Sequence, residues 1–197
     1  MTPAGGDAQA HRVIAFWFDG PGGAARGQVR GEWFGKDPAF DEEIRGSFGA
    51  LIEHALAGGC DHWGDEAGTA PALVVLLDQL TRNAFRDTPR MFAGDAKALA
   101  VARRIVAAGW DHSYDSLRRW FCYMPFEHSE SLDDQRESLR LFGQLRNDPL
   151  AGGAWQWAVS HHDVIERFGR FPHRNAILGR PSTPAEEAFL REPGSRF

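Results

Sequence analysis

The sequence has little cysteine and no long hydrophobic run, and both shortages narrow the class of protein. Of its 197 residues two are cysteines, Cys60 and Cys122, which lie far apart and in no CxxC motif. Isolated thiols of this kind are typical of a reducing compartment. The longest strongly apolar run, APALVVLL at 70–77, is too short to span a bilayer, and the N-terminal MTPAGGDAQAHR lacks the apolar core of a signal peptide. We therefore expect a cytoplasmic protein with no membrane partner.

Excess positive charge and the common catalytic motifs are also missing. The net charge is -5, which argues against a nucleic-acid partner because phosphate contact needs a basic face. The chain has no GxGxxG, phosphate loop or GxSxG motif. It also has no HxxxH, HxxE or CxxC spacing, so we predict no metal site. These absences leave the cofactor unknown.

Helical periodicity dominates what is present. Hydrophobic residues make up 43% of the chain and charged residues 25%, as in an ordinary globular protein. In the segment after Asp37, apolar residues recur at spacings of three and four, which is typical of an amphipathic helix. Asp37 fits the N-cap and Pro38 the first helical position. We expect a flexible N-terminus at 1–12 and one all-helical domain over 13–197.

Similar patterns predict about seven to nine helices and no sheet. The segment RVIAFWFDG is the one candidate strand, and because it has no partner we favour a helix there. Pro125 is expected to end a helix before it. The further helices are expected at about 71–85, 91–108, 115–124, 131–145, 153–168 and from Thr183, where Glu186 completes a capping box. Short Gly or Pro turns between them indicate a stack of antiparallel helical hairpins.

The segment LLDQLTRNAFR places polar side chains at helical spacing among apolar ones. Asp78 precedes Arg82 by four residues, the favourable order for an ion pair on one helix face, and Gln79 and Asn83 form a parallel pair. A solvated helix edge is one interpretation. Because these polar pairs directly follow LVVLL, we favour a partly buried polar network.

A second segment, MPFEHSESLDDQ, concentrates acidic residues in a turn. Capping of the following helix explains Ser131 and its acidic neighbours. It does not explain Glu127 and His128, which lie beside a phenylalanine, and Glu130 adds a further charge. These three residues are therefore candidates for a site.

The third segment, AWQWAVSHHDVIERFGRFPHRNAILGR, continues a helix into a basic loop. His161 falls on an apolar stripe with Trp157, whereas Glu166 is spaced to pair with Arg170 on another face. Gly169 is well placed to end the helix and Pro172 to stiffen the exit. The side chains expected to anchor the loop in the core are Phe168, Phe171, Ile177 and Leu178. The loop would then hold cationic and polar groups on a rigid support, namely Arg170, His173, Arg174 and Asn175.

These motifs resemble a known family. LLDQ, RN, P-x-x-HSE, HxDxIxxFGRFPHRNAILGR and STPxExxFL occur in the order seen in domain-of-unknown-function family 924, a family of uncharacterised bacterial proteins. The resemblance runs from Ala15 to Phe189. It implies an all-helical, tetratricopeptide-like fold and implies no established reaction.

Three functions fit these residues. The first is a pocket for a small anionic or polar ligand, since guanidinium groups match carboxylate and phosphate geometry and a histidine can move protons near neutral pH. Its expected lining is Asp78, Gln79, Arg82, Asn83, Glu127, His128, Glu130, His161, Arg170, His173, Arg174, Asn175 and Arg180. His128, His161 and His173 are the candidates for catalysis.

The other two functions use the same cluster differently. In one, the acidic turn pairs with the basic loop, Glu127 and Glu130 neutralising Arg170 and Arg174, and the cluster is a buried structural network. In the other, the helical stack is an interaction scaffold whose basic groove takes an acidic or carboxylate-ended peptide.

Overall fold

The structure is a computed structural model that describes residues 5–195. Its α-helices are α1 Gly5–Ile14, α2 Pro38–Leu56, α3 Ala70–Val74, α4 Thr81–Ala84, α5 Asp95–Ala107, α6 Ser116–Glu127, α7 Leu132–Gly143, α8 Ala154–Phe168 and α9 Pro184–Phe189. Two π-helical turns extend them, Ala15–Asp19 after α1 and Val75–Leu80 between α3 and α4. Between residues 5 and 195 there is no strand, so the predicted all-α fold is confirmed.

Helix α3, the second π turn and α4 form a continuous buried rod at the centre of the core. All the side chains of the run from Ala70 to Leu80 are buried, including Asp78 and Gln79. Helices α1, α2, α5 and α6 pack around the rod. A helix that is apolar on all sides belongs in a protein interior, which explains the APALVVLL run.

The second half of the chain packs helices in sequence order. Helix α7 contacts both α6 and α8, and a short turn joins α6 to α7. Short connections between packed neighbours are a feature of helical hairpin stacks. This arrangement is compatible with a tetratricopeptide-like stack, which stays a prediction.

Helix α6 runs further than predicted. It continues through Pro125 to Glu127, so the expected end before Pro125 is wrong. Proline removes a single N–H donor from the helix, and the amide of His128 still donates to the carbonyl of Met124 at 2.8 Å. The extra turn carries Glu127 and His128 to the end of α6.

Helix α5 begins later than predicted, at Asp95 rather than near Met91. A 3₁₀ turn, Pro89–Phe92, precedes it. Gly94 then packs so closely on the central rod that a Cβ atom there would overlap the carbonyl oxygen of Leu77. This contact fixes the first residue of α5 beside the second π turn.

The predicted end of α8 is confirmed. Two residues of α8 and the following loop that were predicted to face the core lie at the surface. Gly169 has φ 69°, the left-handed conformation that ends a helix, and Phe171 is fully buried. Trp157, however, is 54% exposed, and Leu178 also lies at the surface. Phe171 therefore carries more of the anchoring of the loop than the spacing indicates.

The described chain begins with helix α1, and its last helix is α9. The capping box expected at Thr183 and Glu186 is present at the start of α9. Helix α1 includes part of the segment 1–12 that we expect to be flexible, and residues 1–4 lie outside the described residues. The flexibility stays a prediction. Within residues 5–195, none of the helices has the length and apolarity that crossing a bilayer requires.

Candidate functional site

The second π turn directs Asp78 into the protein interior. π turns widen a helix locally and are frequent at functional sites. Oδ1 of Asp78 lies 2.8 Å from Nδ1 of His128, and its Oδ2 accepts a hydrogen bond from Nε2 of Gln79 at 2.5 Å. The carboxylate is completely buried, so these contacts replace its hydration. Asp78 therefore holds the His128 ring in one orientation.

The backbone of the α6–α7 turn is held by one glutamine. Nε2 of Gln135, a buried residue of α7, donates to the carbonyl oxygens of Glu127 and Ser129, each at 2.7 Å. Because a single amide group binds both sides of the turn, His128 between them has little freedom. Its side chain is 12% exposed, so one edge of the ring is open to solvent.

Two arginines from distant parts of the chain meet at Asp95. Nη2 of Arg82 lies 2.9 Å from both carboxylate oxygens of Asp95. Nη1 of Arg174 lies 3.5 Å from Oδ2 of the same residue. The Phe92 ring lies against both guanidinium groups, whose Cζ atoms are 5.2 and 4.8 Å from its centroid. Cation–π contact thus holds both arginines in place.

These contacts close into a polar ring formed by Asp78, Arg82, Asp95, His128 and Arg174. Arg82 also lies 3.8 Å from Oδ1 of Asp78, the oxygen that contacts His128. Nη2 of Arg174 donates to the backbone carbonyl of His128 at 2.9 Å, which completes the circuit. The polar ring joins the central rod, α5, the end of α6 and the basic loop.

The two guanidinium groups of the polar ring have more N–H donors than the surrounding residues offer acceptors. Nε of Arg82 and Nε of Arg174 are both buried, and neither has a hydrogen-bond acceptor among residues 5–195. A buried donor without a partner costs free energy, about 1–3 kcal/mol. Two such donors in one cluster indicate a site that an acceptor from outside the chain can complete.

The protonation states follow from burial and neighbouring charges. Burial opposes ionisation of Asp78, but the contacts with His128 and Arg82 outweigh it and lower the pKa of the carboxyl. Burial, with the positive charge of Arg82, lowers the pKa of His128 below its usual value despite Asp78. A neutral imidazole oriented by a carboxylate is able to accept a proton. The polar ring thus contains a base beside two cations.

The other charges of the polar ring respond to the same surroundings. Burial, followed by the charge of Arg82, lowers the pKa of Arg174 to about 10. Burial also raises the pKa of Asp95, against the attraction of Arg82. Arg174 therefore remains charged at neutral pH, while Asp95 is protonated more readily than an exposed carboxylate.

His161 and His173 lie next to the polar ring. Nδ1 of His161 lies 2.9 Å from Oε1 of buried Glu127, and its ring is 6.3 Å from the His128 ring, centroid to centroid. His173 lies against Phe171 with ring centroids 5.5 Å apart. Burial, followed by the charge of Arg174, lowers the pKa of His173 to about 3. His161 and His173 thus both lie against Phe171, and His161 also lies beside His128 of the polar ring.

Carboxylates of the α6–α7 turn and of α9 neutralise the arginines in the outer half of the basic loop. Arg180 binds Glu130 through both Nη atoms, at 2.7 and 2.9 Å. Arg170 binds Glu186 at 2.6 and 2.8 Å instead of Glu166, so that predicted pair is wrong. The expectation that Glu127 and Glu130 bind Arg170 and Arg174 is also wrong: their nearest partners are His161 and Arg180.

Two predicted lining residues have structural partners elsewhere. Nδ2 of Asn83 donates to buried Asp41 at 2.8 Å, together with Arg86. Nδ2 of Asn175 donates to Ser182, and its Oδ1 accepts from Arg180 at 3.0 Å. Asn83 therefore belongs to a neighbouring polar cluster, and Asn175 stabilises the basic loop.

Another group of arginines lines a surface depression of about 580 Å³ near the Gly-rich segment after the first π turn. The guanidinium group of Arg30 donates to the carbonyls of Phe16 and Trp17, and Arg26 pairs with Asp19. Among the described residues, neither of these arginines has a buried donor without an acceptor, in contrast to the Nε atoms of Arg82 and Arg174.

Metal-ligand geometry is found away from the histidines discussed above. Among the described residues, the ligand atoms of His162, Asp163 and Glu166 lie within 4.8 Å of one another on the surface of α8. Exposed acidic groups of this kind are common without an ion, and nothing else at this place indicates a ligand.

Comparison with known proteins assigns the chain to a family. The model of DUF924, described as bacterial proteins of unknown function, matches residues 13–194. The chain belongs to this family. It is also similar to the solved structure of a protein of unknown function, ATU0120 from Agrobacterium tumefaciens, with 36% identity and a TM-score of 0.80 over 93% of this chain and 97% of that chain. No curated protein matches the chain.

The predicted membership of family 924 is therefore confirmed. Neither the family description nor the solved relative names an activity, so the function has to be argued from the residues. The sequence patterns did not single out three of the most informative residues: Phe92, Asp95 and Gln135. Asp95 follows a glycine at a helix start, where an acidic residue is usually read as capping chemistry, and Phe92 lies in a turn.

Proposed function

We propose that this DUF924 protein binds a small anion, of the carboxylate or phosphate class, at the polar ring. The observation that carries the proposal is the pair of buried guanidinium donors, Arg82 Nε and Arg174 Nε, without acceptors in the described chain. Planar guanidinium groups match the oxygen geometry of carboxylates and phosphates.

The arrangement of the arginines also supports anion binding. Arg174 is held between Phe92 and Phe171, whose ring centroids lie 4.8 and 4.5 Å from its Cζ atom. A side chain fixed in this way loses little conformational entropy when a ligand binds. Arg82 is 14% exposed and Asp95 is 22% exposed at the side chain, which favours approach from the start of α5.

Thermal shift and calorimetry with inorganic phosphate and with acetate test the proposal. A ligand at 100 times its Kd stabilises the folded state by about 2.7 kcal/mol, and we expect a rise in Tm of about 5 °C or more. Arg174→Gln should abolish the shift. Arg26→Gln, which removes an exposed arginine paired with Asp19, is the control and should keep it. No shift with either anion would contradict anion binding.

A structural role is the second candidate, and the ion pairs of the outer loop favour it there. Glu130 with Arg180 and Arg170 with Glu186 fix the loop without leaving a charge unpaired. If the polar ring is also purely structural, Arg174→Gln should lower the free energy of unfolding by several kcal/mol and no anion should bind the parent protein.

The remaining expectations concern partners and location. A peptide ending in a carboxylate offers the same chemistry as acetate, so an acidic peptide partner stays within this proposal. We also propose a cytoplasmic location, which is supported by Cys60 and Cys122 being buried and unpaired. Cell fractionation with an antibody to the protein checks the location.

A further inference from the structure

We propose that the anion bound at the polar ring also carries a hydroxyl group, whose hydrogen is accepted by Nε2 of His128. Small hydroxy acids are then the ligand class. This inference rests on the proposed function, since it specifies the second half of the same ligand.

The argument begins with the hydrogen on the His128 ring. Asp78 accepts from Gln79 and lies beside Arg82, so its carboxyl is ionised and has no hydrogen to give. The hydrogen between Asp78 and His128 therefore belongs to Nδ1, which donates across 2.8 Å. When a neutral imidazole carries its hydrogen on Nδ1, Nε2 has a lone pair and acts as an acceptor.

The atoms of the polar ring that have no hydrogen-bond partner among the described residues are then of two kinds, donors and an acceptor. The guanidinium groups of Arg82 and Arg174 can only donate. Both oxygens of Asp95 already accept from Arg82 at 2.9 Å. Nε2 of His128 makes no hydrogen bond within residues 5–195, and it is not among the fully buried polar atoms.

A ligand that satisfies this site has an acceptor group and a donor group a short distance apart. Arg82 and His128 share contacts with one oxygen of Asp78, and Arg174 binds the backbone carbonyl of His128. Both cations therefore lie beside His128, the residue that carries the acceptor Nε2. A carboxylate with a hydroxyl on the adjacent carbon presents its two groups at this scale.

Paired ligands that differ by one hydroxyl test the inference. Calorimetry should compare glycolate with acetate and L-lactate with propionate, using the parent protein. A bound ligand shields Nε2 of His128 from water, and an acceptor shielded without a donor is costly, so we expect the hydroxy acid of each pair to bind about tenfold more tightly or better.

Two variants then assign the preference to His128. His128→Phe lacks the acceptor, so its preference for glycolate over acetate should fall to about one. Asp78→Asn should also lose the preference, because an amide can donate to Nδ1 and so place the ring hydrogen on Nε2. His162→Phe, which replaces a half-buried histidine of α8 outside the polar ring, is the matched control and should keep the tenfold preference.

The outcomes separate this inference from the proposed function. If phosphate, acetate and glycolate all fail to bind, the proposed function is wrong and the inference falls with it. Equal binding of glycolate and acetate would overturn the inference and leave anion binding intact. A preference that survives in His128→Phe would overturn it as well.

One measurement on the parent protein covers the case in which the variants do not fold. Nitrogen-15 NMR of labelled histidine distinguishes a protonated ring nitrogen from one with a lone pair. We expect His128 to carry its hydrogen on Nδ1, and its Nε2 resonance to shift with glycolate and much less with acetate. A hydrogen on Nε2 would refute the proposal.

Discussion

Arg180 forms a bidentate ion pair with Glu130, its two terminal nitrogens lying 2.7 and 2.9 Å from the two carboxylate oxygens. The same pair holds the backbone of Phe171, whose amide donates to Glu130 at 2.8 Å and whose carbonyl accepts from Arg180 at 3.1 Å. The ion pair therefore fixes a completely buried residue of the loop, and Arg174 follows three residues later.

Replacement of Arg180 should destabilise the protein. Arg180→Ala leaves the half-buried Glu130 carboxylate without its main partner, and we expect the free energy of unfolding to fall by about 2 kcal/mol. Urea denaturation measures the loss. Arg140→Ala, which breaks an exposed bidentate pair with Glu137, should cost less than about 0.5 kcal/mol. Equal losses in the two variants would contradict a specific role for Arg180.

Replacement of Gln135 should loosen the turn that carries His128. Gln135→Leu leaves the carbonyls of Glu127 and Ser129 without their donor, and we expect a loss of about 2–3 kcal/mol in the free energy of unfolding. Gln135→Glu should cost more, because it buries a charge beside two carbonyl oxygens. Thermal melts of the two variants check this order, and a smaller loss in Gln135→Glu would be evidence against it.

A methyl group at Gly94 should separate α5 from the central rod. Gly94→Ala places a Cβ against the backbone of Leu77, which cannot move aside, and we expect a loss of about 2 kcal/mol or more. Gly46→Ala is the control, since a Cβ at this position in α2 meets open space and should stabilise the helix by about 0.5–1 kcal/mol. The two changes should shift the urea midpoint in opposite directions.

Stability should fall on mild acidification because of His173. Its pKa is lowered to about 3 in the folded protein, whereas an unfolded chain protonates histidine near 6.5. Below pH 6.5 the unfolded state therefore binds the extra proton, and stability is lost as the pH falls towards 3.

The expected loss between pH 7 and pH 5 is up to about 2 kcal/mol, measured by urea denaturation at each pH. His173→Gln should reduce this dependence. The exposed His112→Gln variant tests whether removal of any histidine has the same effect. A His173→Gln variant that loses as much stability as the parent protein between the two pH values would contradict the role of His173.

Local signals in the sequence were sufficient for most of the fold. Gly169 and the Thr183 capping box each act within a few residues, so the ends that they set could be predicted from short stretches. Pro125 is different, because the cost of its missing donor is balanced by packing of α6 in the core. The start of α5 depends on a contact between Gly94 and Leu77, which no local pattern reveals.

The candidate site could be predicted in part. The motifs brought Asp78, Arg82, His128 and Arg174 to notice, and the structure places them in one polar ring. Their partners could not be predicted, because ion pairing between distant segments depends on the packing of the helices. Asp95 shows this most clearly: its carboxylate lies between two arginines that are 13 and 79 positions away in the chain.

The second π turn also sets the rotational register of the central rod. A π turn holds one residue more than an α-turn, and each residue of an α-helix advances the side chains by about 100°. Deletion of one residue within 75–77 would let the rod continue as a regular α-helix. Asp78 and Arg82 would then point about 100° away from His128 relative to the apolar face of α3. The polar ring thus depends on the one additional residue that the second π turn holds, because it sets the direction of Asp78 and Arg82.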